Sequence, residues 1–193
     1  PGVLAGLPLH GPNLFPTEPA ELGPLVLTWI DQMTRVGHAL ARALSLGLGL
    51  DADWMDRHLT ADPTVLFRIF RYPPRPADDD GWGVAEHTDY GLLTILHQDD
   101  TGGLEVHGRD GWLDVAPVPG SFVCNIGDML EKATGGVYRS TPHRVRNLTD
   151  RYRVSMPFFF DPGWDARVER LADGTGESVP RWDGEDPHLF DGS

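Results

Sequence analysis

Eight short segments rich in Val, Ile, Leu, Phe and Tyr crowd into residues 64–160 of this 193-residue chain. No other feature limits its fold as much. They fall near 64–72, 84–89, 92–98, 104–107, 112–116, 121–126, 139–146 and 152–160. Turn-forming clusters separate most of them, including Pro73-Pro74, Asp99-Asp100-Thr101-Gly102-Gly103, Gly108 to Gly111 and Pro117 to Gly120. Short strands at such close spacing predict an all-β barrel or sandwich. Asp128 to Ala133 reads as a single helical turn inside the run.

Flanking helices complete a mainly β architecture. From Pro24 to about Leu46, the apolar residues Val26, Trp29, Ile30, Met33, Val36, Leu40, Ala43 and Leu44 recur at three- and four-residue steps, one stripe of an amphipathic helix. Pro24 suits its first turn, and Gly47 with Gly49 ends it. Asp51 or Asp53 could cap a short second helix. Residues 1–20 are proline-rich and read as an extended loop. After Asp161 the chain becomes acidic and loop-like. Three regions follow: an N-terminal loop and helical buttress over 1–60, a β core over 61–161, and an acidic segment over 162–193. The chain opens at Pro1 and stops at Ser193 with no evident capping element, so it reads as a piece of a longer protein.

Composition narrows the function classes. With 40% hydrophobic and 23% charged residues the chain is neither disordered nor fibrous. A formal charge of −13 argues against a broad surface for nucleic-acid phosphates. No apolar run approaches the ~20 residues of a membrane span. A single cysteine, Cys124, excludes an internal disulfide and a multi-cysteine zinc module, and fits a reducing, cytoplasmic compartment. Cys124 itself reads as a small buried hydrophobe. A monomer or weak homo-oligomer is expected.

The densest chemistry lies in Glu86-His87-Thr88-Asp89-Tyr90. Residues two apart on a strand share a face, so His87 and Asp89 could present an imidazole and a carboxylate to one point. The alternative for such a pair is plain surface polarity, and metal binding would need a third ligand. His10 and His38 read as structural or solvated, while His97 and His107 stand on strands near the pair and stay open. His143 lies in a late strand-like segment, ten residues before Arg153. Arg153 and Ser155 again sit two apart on one strand face.

Taken in order, His-x-Asp, a second His 54 residues on and Arg-x-Ser on the last strand resemble the Fe(II)/2-oxoglutarate-dependent oxygenases, in their isopenicillin N synthase-like branch. Arg71-Tyr72-Pro73-Pro74, His87-Thr88-Asp89-Tyr90-Gly91-Leu92-Leu93-Thr94, Thr101-Gly102-Gly103-Leu104, Asn125-Ile126-Gly127-Asp128 and Arg153-Val154-Ser155 match that branch in order. They cover roughly residues 65–160. The resemblance implies a double-stranded β-helix (jelly roll) and a 2-His-1-carboxylate facial triad of His87, Asp89 and His143. Such a triad leaves open positions on Fe(II), which the family uses for 2-oxoglutarate and dioxygen. It further implies that Arg153, Ser155 and Tyr72 hold the distal carboxylate of 2-oxoglutarate. The bland alternative for Arg153 is a surface ion pair.

Substrate-pocket positions follow from the same resemblance. Arg68, Phe70 and Tyr72 share strand parity, and the ethylene-forming enzyme has an arginine matching Arg68 near its pocket. Plant members place an Asn where this chain has Phe70. Phe159, on the Arg153 face, corresponds to a pocket aromatic in some relatives, with a core Phe as the other reading. Asn125 could touch the ligand shell or serve as a hydrogen-bonding residue at a strand end. The implied reaction is oxidation of a small organic substrate (hydroxylation, desaturation or cyclisation) with release of succinate and CO2. Alternatives are a family oxidase that uses iron and dioxygen without 2-oxoglutarate, a non-catalytic β-helix domain that binds a small molecule, and, more weakly, a zinc hydrolase.

Overall fold

A computed structural model describes residues 3–6, 11–74 and 81–171. Helix α1 spans Leu22–Gly47 and α2 spans Trp54–His58. The expected helix is thus two residues longer at its start, with Pro24 in the first turn, where its missing N–H is not needed. Past its end, Gly49 takes a φ of +72°, a conformation in which glycine carries no penalty. Asp53 precedes α2, but its side chain accepts no capping hydrogen bond from the helix.

Nine strands follow among the described residues: β1 (Thr64–Phe67), β2 (Phe70–Tyr72), β3 (Val84–His87), β4 (Leu93–Gln98), β5 (Leu104–Gly108), β6 (Gly111–Asp114), β7 (Val123–Ile126), β8 (His143–Val145) and β9 (Arg153–Asp161). The one-turn helix α3, Asp128–Ala133, falls between β7 and β8 as the sequence predicts. Nine strands rather than eight arise because the 64–72 segment breaks at Arg68-Ile69, although both halves pair with β9 in one register. Arg68 donates its N–H to the Pro157 carbonyl at 3.1 Å. Proline has no N–H to return, so the ladder loses a bond there.

The strands form two antiparallel sheets. One has the order β1-β9-β4-β7, with β2 also on β9, and the other has the order β3-β8-β5-β6. Tyr72 and Leu96 from the first sheet pack with Leu104 and Val145 from the second. The sheets therefore face each other across an interior, the double-stranded β-helix. Helix α1 covers the outer face of the larger sheet, where Met33 and Ala41 join Leu93, Ile95, Phe158 and Phe160 in a buried cluster. Gly37 lets the helix approach: a Cβ there would lie 2.5 Å from the Phe160 ring.

Cys124 corrects an expectation, since it is exposed. Strand β7 is the edge of its sheet, and alternation turns Asn125 inward and Cys124 outward, beside but not beneath the helix-covered cluster. His10 and residues 172–193 of the acidic segment lie outside the described residues. No helix among the described residues is long and apolar enough to cross a membrane.

Candidate active site

His87 ends β3, and Asp89 sits just beyond it in the turn to β4, so the two meet through a strand end rather than along a strand. His143 opens β8 directly across from His87. That cross-strand pairing brings the distant imidazole to the pair, with ring centroids 4.2 Å apart. His87 Nε2 lies 3.7 Å from Asp89 Oδ1, and His143 Nε2 lies 3.8 Å from Asp89 Oδ2. One ligand atom from each residue falls within 4.8 Å of the others.

Neighbouring groups orient this cluster. His87 Nδ1 pairs with the Ala85 carbonyl at 2.8 Å, and His143 Nδ1 with the Thr141 carbonyl at 3.0 Å. A carbonyl only accepts, so each Nδ1 carries the proton and each Nε2 offers a lone pair to the cluster. Burial lowers the His143 pKa and outweighs the opposite pull of Asp89. The imidazole is then neutral, as a metal ligand must be. Asn125 Nδ2 donates to Asp89 Oδ2 at 3.4 Å and lies 3.5 Å from His143 Nε2. Backbone bonds from α3 pin the turn: Asp128 N–H to Asp89 C=O at 2.8 Å and Met129 N–H to Tyr90 C=O at 3.1 Å. Two nitrogens and a carboxylate on one side of a space suit Fe(II) with positions left open, whereas a closed structural zinc site takes four ligands.

The cluster borders a cavity of about 280 Å³ between the sheets. Arg68, Phe70, Tyr72, Asn125 and Phe159 also line it. The expected pocket residues are therefore brought together, and the inward parity of Arg68, Phe70 and Tyr72 is observed. Arg153 and Ser155 stand on the inner face of β9, paired across the ladder with Tyr72 and Phe70. Tyr72 Oη and Ser155 Oγ are 3.3 Å apart.

Arg153 is fully buried. A surface ion pair is excluded by that burial. Its Nε donates to the Gly102 carbonyl at 2.6 Å and its Nη2 to Gln98 Oε1 at 3.2 Å. Its Nη1 is buried with no hydrogen-bond partner. Burial pulls the guanidinium below its ordinary pKa, with Tyr72 and Asp99 opposing, but arginine keeps its proton in proteins. A buried cation with an orphaned donor beside two hydroxyls fits an incoming carboxylate, because leaving such a donor unpaired costs about 1–3 kcal/mol.

Several participants escape a reading of motifs. Gln98 holds Arg153 together with the carbonyl of Gly102, whose motif does not show that role, and Asp161 accepts the Leu92 N–H behind the turn at 2.9 Å. Gln98 shares strand parity with Thr94 and Leu96, the one sequence signal that places it inward. His97 instead faces outward, edge-on to Trp29, and His107 packs on Trp112. Neither joins the cluster.

Comparison with known proteins agrees with this geometry. Residues 63–162 match the model of the 2OG-Fe(II) oxygenase superfamily. A probable iron/ascorbate oxidoreductase of Dictyostelium discoideum is 45% identical over 222 residues, covering 100% of this chain and 61% of that protein. A homoarginine-6-hydroxylase of Arabidopsis thaliana is 40% identical over 174 residues, covering 86% of this chain and 52% of its own length. Among solved structures, a full-length Neurospora crassa protein in complex with alpha-KG superposes with a TM-score of 0.78 at 28% identity, over 88% of this chain and 55% of that one. The fold and its paired sheets define an oxygenase-type β-helix. The chain belongs to the 2OG-Fe(II) oxygenase superfamily, whose co-substrate is 2-oxoglutarate and whose metal is Fe(II). It spans about half to three-fifths of the length of these relatives.

Proposed function

We propose that this protein is an Fe(II)- and 2-oxoglutarate-dependent dioxygenase of the isopenicillin N synthase-like branch, acting on a small organic substrate. The observation that carries it is the orphaned Nη1 of buried Arg153 beside Tyr72, which lines the same cavity as His87, Asp89 and His143. An oxidase that takes no 2-oxo acid would leave that nitrogen to be satisfied by something else. Residues 61–161 form the catalytic core, and 1–60 buttress it.

In this reading His87, Asp89 and His143 hold Fe(II) through two Nε2 atoms and a carboxylate oxygen. Asn125 keeps the carboxylate turned toward the ion through its hydrogen bond to Oδ2. Arg153, Ser155 and Tyr72 bind the distal carboxylate of 2-oxoglutarate. When bound, iron and 2-oxoglutarate would supply the oxidation: substrate C–H, dioxygen and 2-oxoglutarate would give C–OH, succinate and CO2, or a desaturated or cyclised product with succinate, CO2 and water, the water carrying the second oxygen atom and the two hydrogens removed. Leu96, Leu104 and Val145 wall the cavity with apolar surface and limit water around the reacting bond. Phe70 and Phe159 face the substrate. Arg68, which has no acidic partner among the described residues, favours substrates that carry an anionic group. The net charge and the single cysteine support a cytoplasmic monomer or weak homo-oligomer that does not bind nucleic acid.

Succinate release from 2-oxoglutarate tests the proposal. It is expected to require Fe(II) and to rise on addition of a substrate found by screening amino acids and other small organic acids. Failure of the iron-loaded chain to bind 2-oxoglutarate at all would overturn it.

A further inference from the structure

The guanidinium of Arg153 has five N–H donors, and how many a co-substrate can use depends on what already holds the others. The Gly102 carbonyl takes Nε and Gln98 Oε1 takes one hydrogen of Nη2, while Nη1 remains unpaired. Neither acceptor bonds Nη1. They fix the plane of the fork and leave its free edge for a carboxylate.

Gln98 is built for this task. It ends β4 directly across from Ser155, in the ladder position diagonal to Arg153. Its Nε2 donates to the Val115 carbonyl at 3.2 Å. A carbonyl can only accept and a guanidinium can only donate, so the amide has a single satisfactory orientation, with oxygen toward Arg153. The turn after it reinforces the arrangement. Gly102 and Gly103 have φ of +79° and +84°, and a Cβ on Gly103 would lie 1.9 Å from the Arg146 carbonyl oxygen. Asp99 ties the turn to β9, accepting from Thr101 N–H at 3.0 Å and Val154 N–H at 2.5 Å.

We propose that Gln98 is a positioning residue for the co-substrate: bridging Val115 and Arg153, it orients the guanidinium so that Nη1 meets the distal carboxylate. This rests on the reading of Arg153 as the 2-oxoglutarate anchor. The Gln98–Arg153 bond would then set the affinity for 2-oxo acids that carry a second carboxylate. It would leave metal binding alone.

The test is calorimetric titration of N-oxalylglycine, an unreactive 2-oxoglutarate analogue, into the full chain loaded with Mn(II). The wild type is compared with Gln98→Leu and with the near-isosteric Gln98→Glu, which carries the test if the leucine variant does not fold. Leu removes the bridge, and Glu pairs its charge with the guanidinium in competition with the ligand. Each is expected to weaken N-oxalylglycine about tenfold, the equivalent of ~1.4 kcal/mol, with Mn(II) affinity within about twofold of wild type. In turnover the KM for 2-oxoglutarate rises far more than kcat falls. Wild-type affinity in the variants, or an equal loss of Mn(II) and ligand binding, would overturn the role of Gln98. Absence of N-oxalylglycine binding by the wild type would instead overturn the functional proposal on which it rests.

Discussion

Replacing Arg153 by Leu separates an anchor from a structural cation. The side chain is fully buried, and its Nη1 has two N–H groups without a partner. Each charge-assisted hydrogen bond to a carboxylate contributes ~1.5–3 kcal/mol. Losing one weakens binding about 10- to 150-fold, and losing two weakens it roughly 100-fold or more. Stability responds less. The variant leaves the Gly102 carbonyl and the Gln98 amide without their donor, at ~1–3 kcal/mol for each buried unpaired group and so ~2–6 kcal/mol together, offset by removing the penalty of a charge held out of water, several kcal/mol per ion. The assay is calorimetry of 2-oxoglutarate on the Mn(II)-loaded chain without oxygen, with thermal unfolding and Mn(II) affinity as controls. The expected result is a loss of about 100-fold or more in 2-oxoglutarate affinity with Mn(II) still bound. A change below about threefold in a folded, metal-loaded variant would refute the anchor.

Two further outcomes concern the fold behind the site. Burial, reinforced by the charge of Asp89 and opposed by the Leu92 N–H, raises the Asp161 pKa from 3.8 to about 6. A carboxyl raised in the folded state contributes stability that is fully present below its unfolded value and is lost as pH rises through about 6, an order of ~3 kcal/mol. Relative to Asp161→Asn, the urea midpoint of the metal-free wild type is therefore expected to fall between pH 4 and 7, a difference in which the opposite contribution of His143 cancels; a difference that stays constant with pH contradicts the assignment. Gly37→Ala gains about 1 kcal/mol of helix propensity but drives a methyl against the Phe160 ring at 2.5 Å. Overpacking costs ~1–3 kcal/mol, so after the propensity gain a net loss of up to ~2 kcal/mol is expected; a variant more stable than wild type would show that α1 can shift on the sheet.

The β core was legible because its punctuation is local: glycine and proline clusters mark strand ends whatever the strands pair with. The split of the first strand was not legible, since its cause, the missing N–H of Pro157, lies about 90 residues away on β9. Alternation along β7 could have turned Cys124 outward from Asn125, but only knowledge that β7 is an edge strand accounts for its exposure among the described residues. At the site, the residues that motifs name (His87, Asp89, His143, Arg153, Ser155 and Tyr72) are brought together in space. What holds them was hidden: the Ala85 and Thr141 carbonyls behind the imidazoles and the Gln98–Gly102 pair behind Arg153 act through backbone atoms or a single amide. Such partners leave no signature in residue type.

Anaerobic titration of 2-oxoglutarate into the Fe(II)-loaded chain, followed by its visible charge-transfer absorption, tests the central claim most directly. A saturable band at one equivalent is predicted for the wild type, with no band for Asp89→Ala, which removes the carboxylate from the two imidazoles. A wild type that binds Fe(II) but develops no band, or an Asp89→Ala variant that develops the same one, would contradict the assignment of the site.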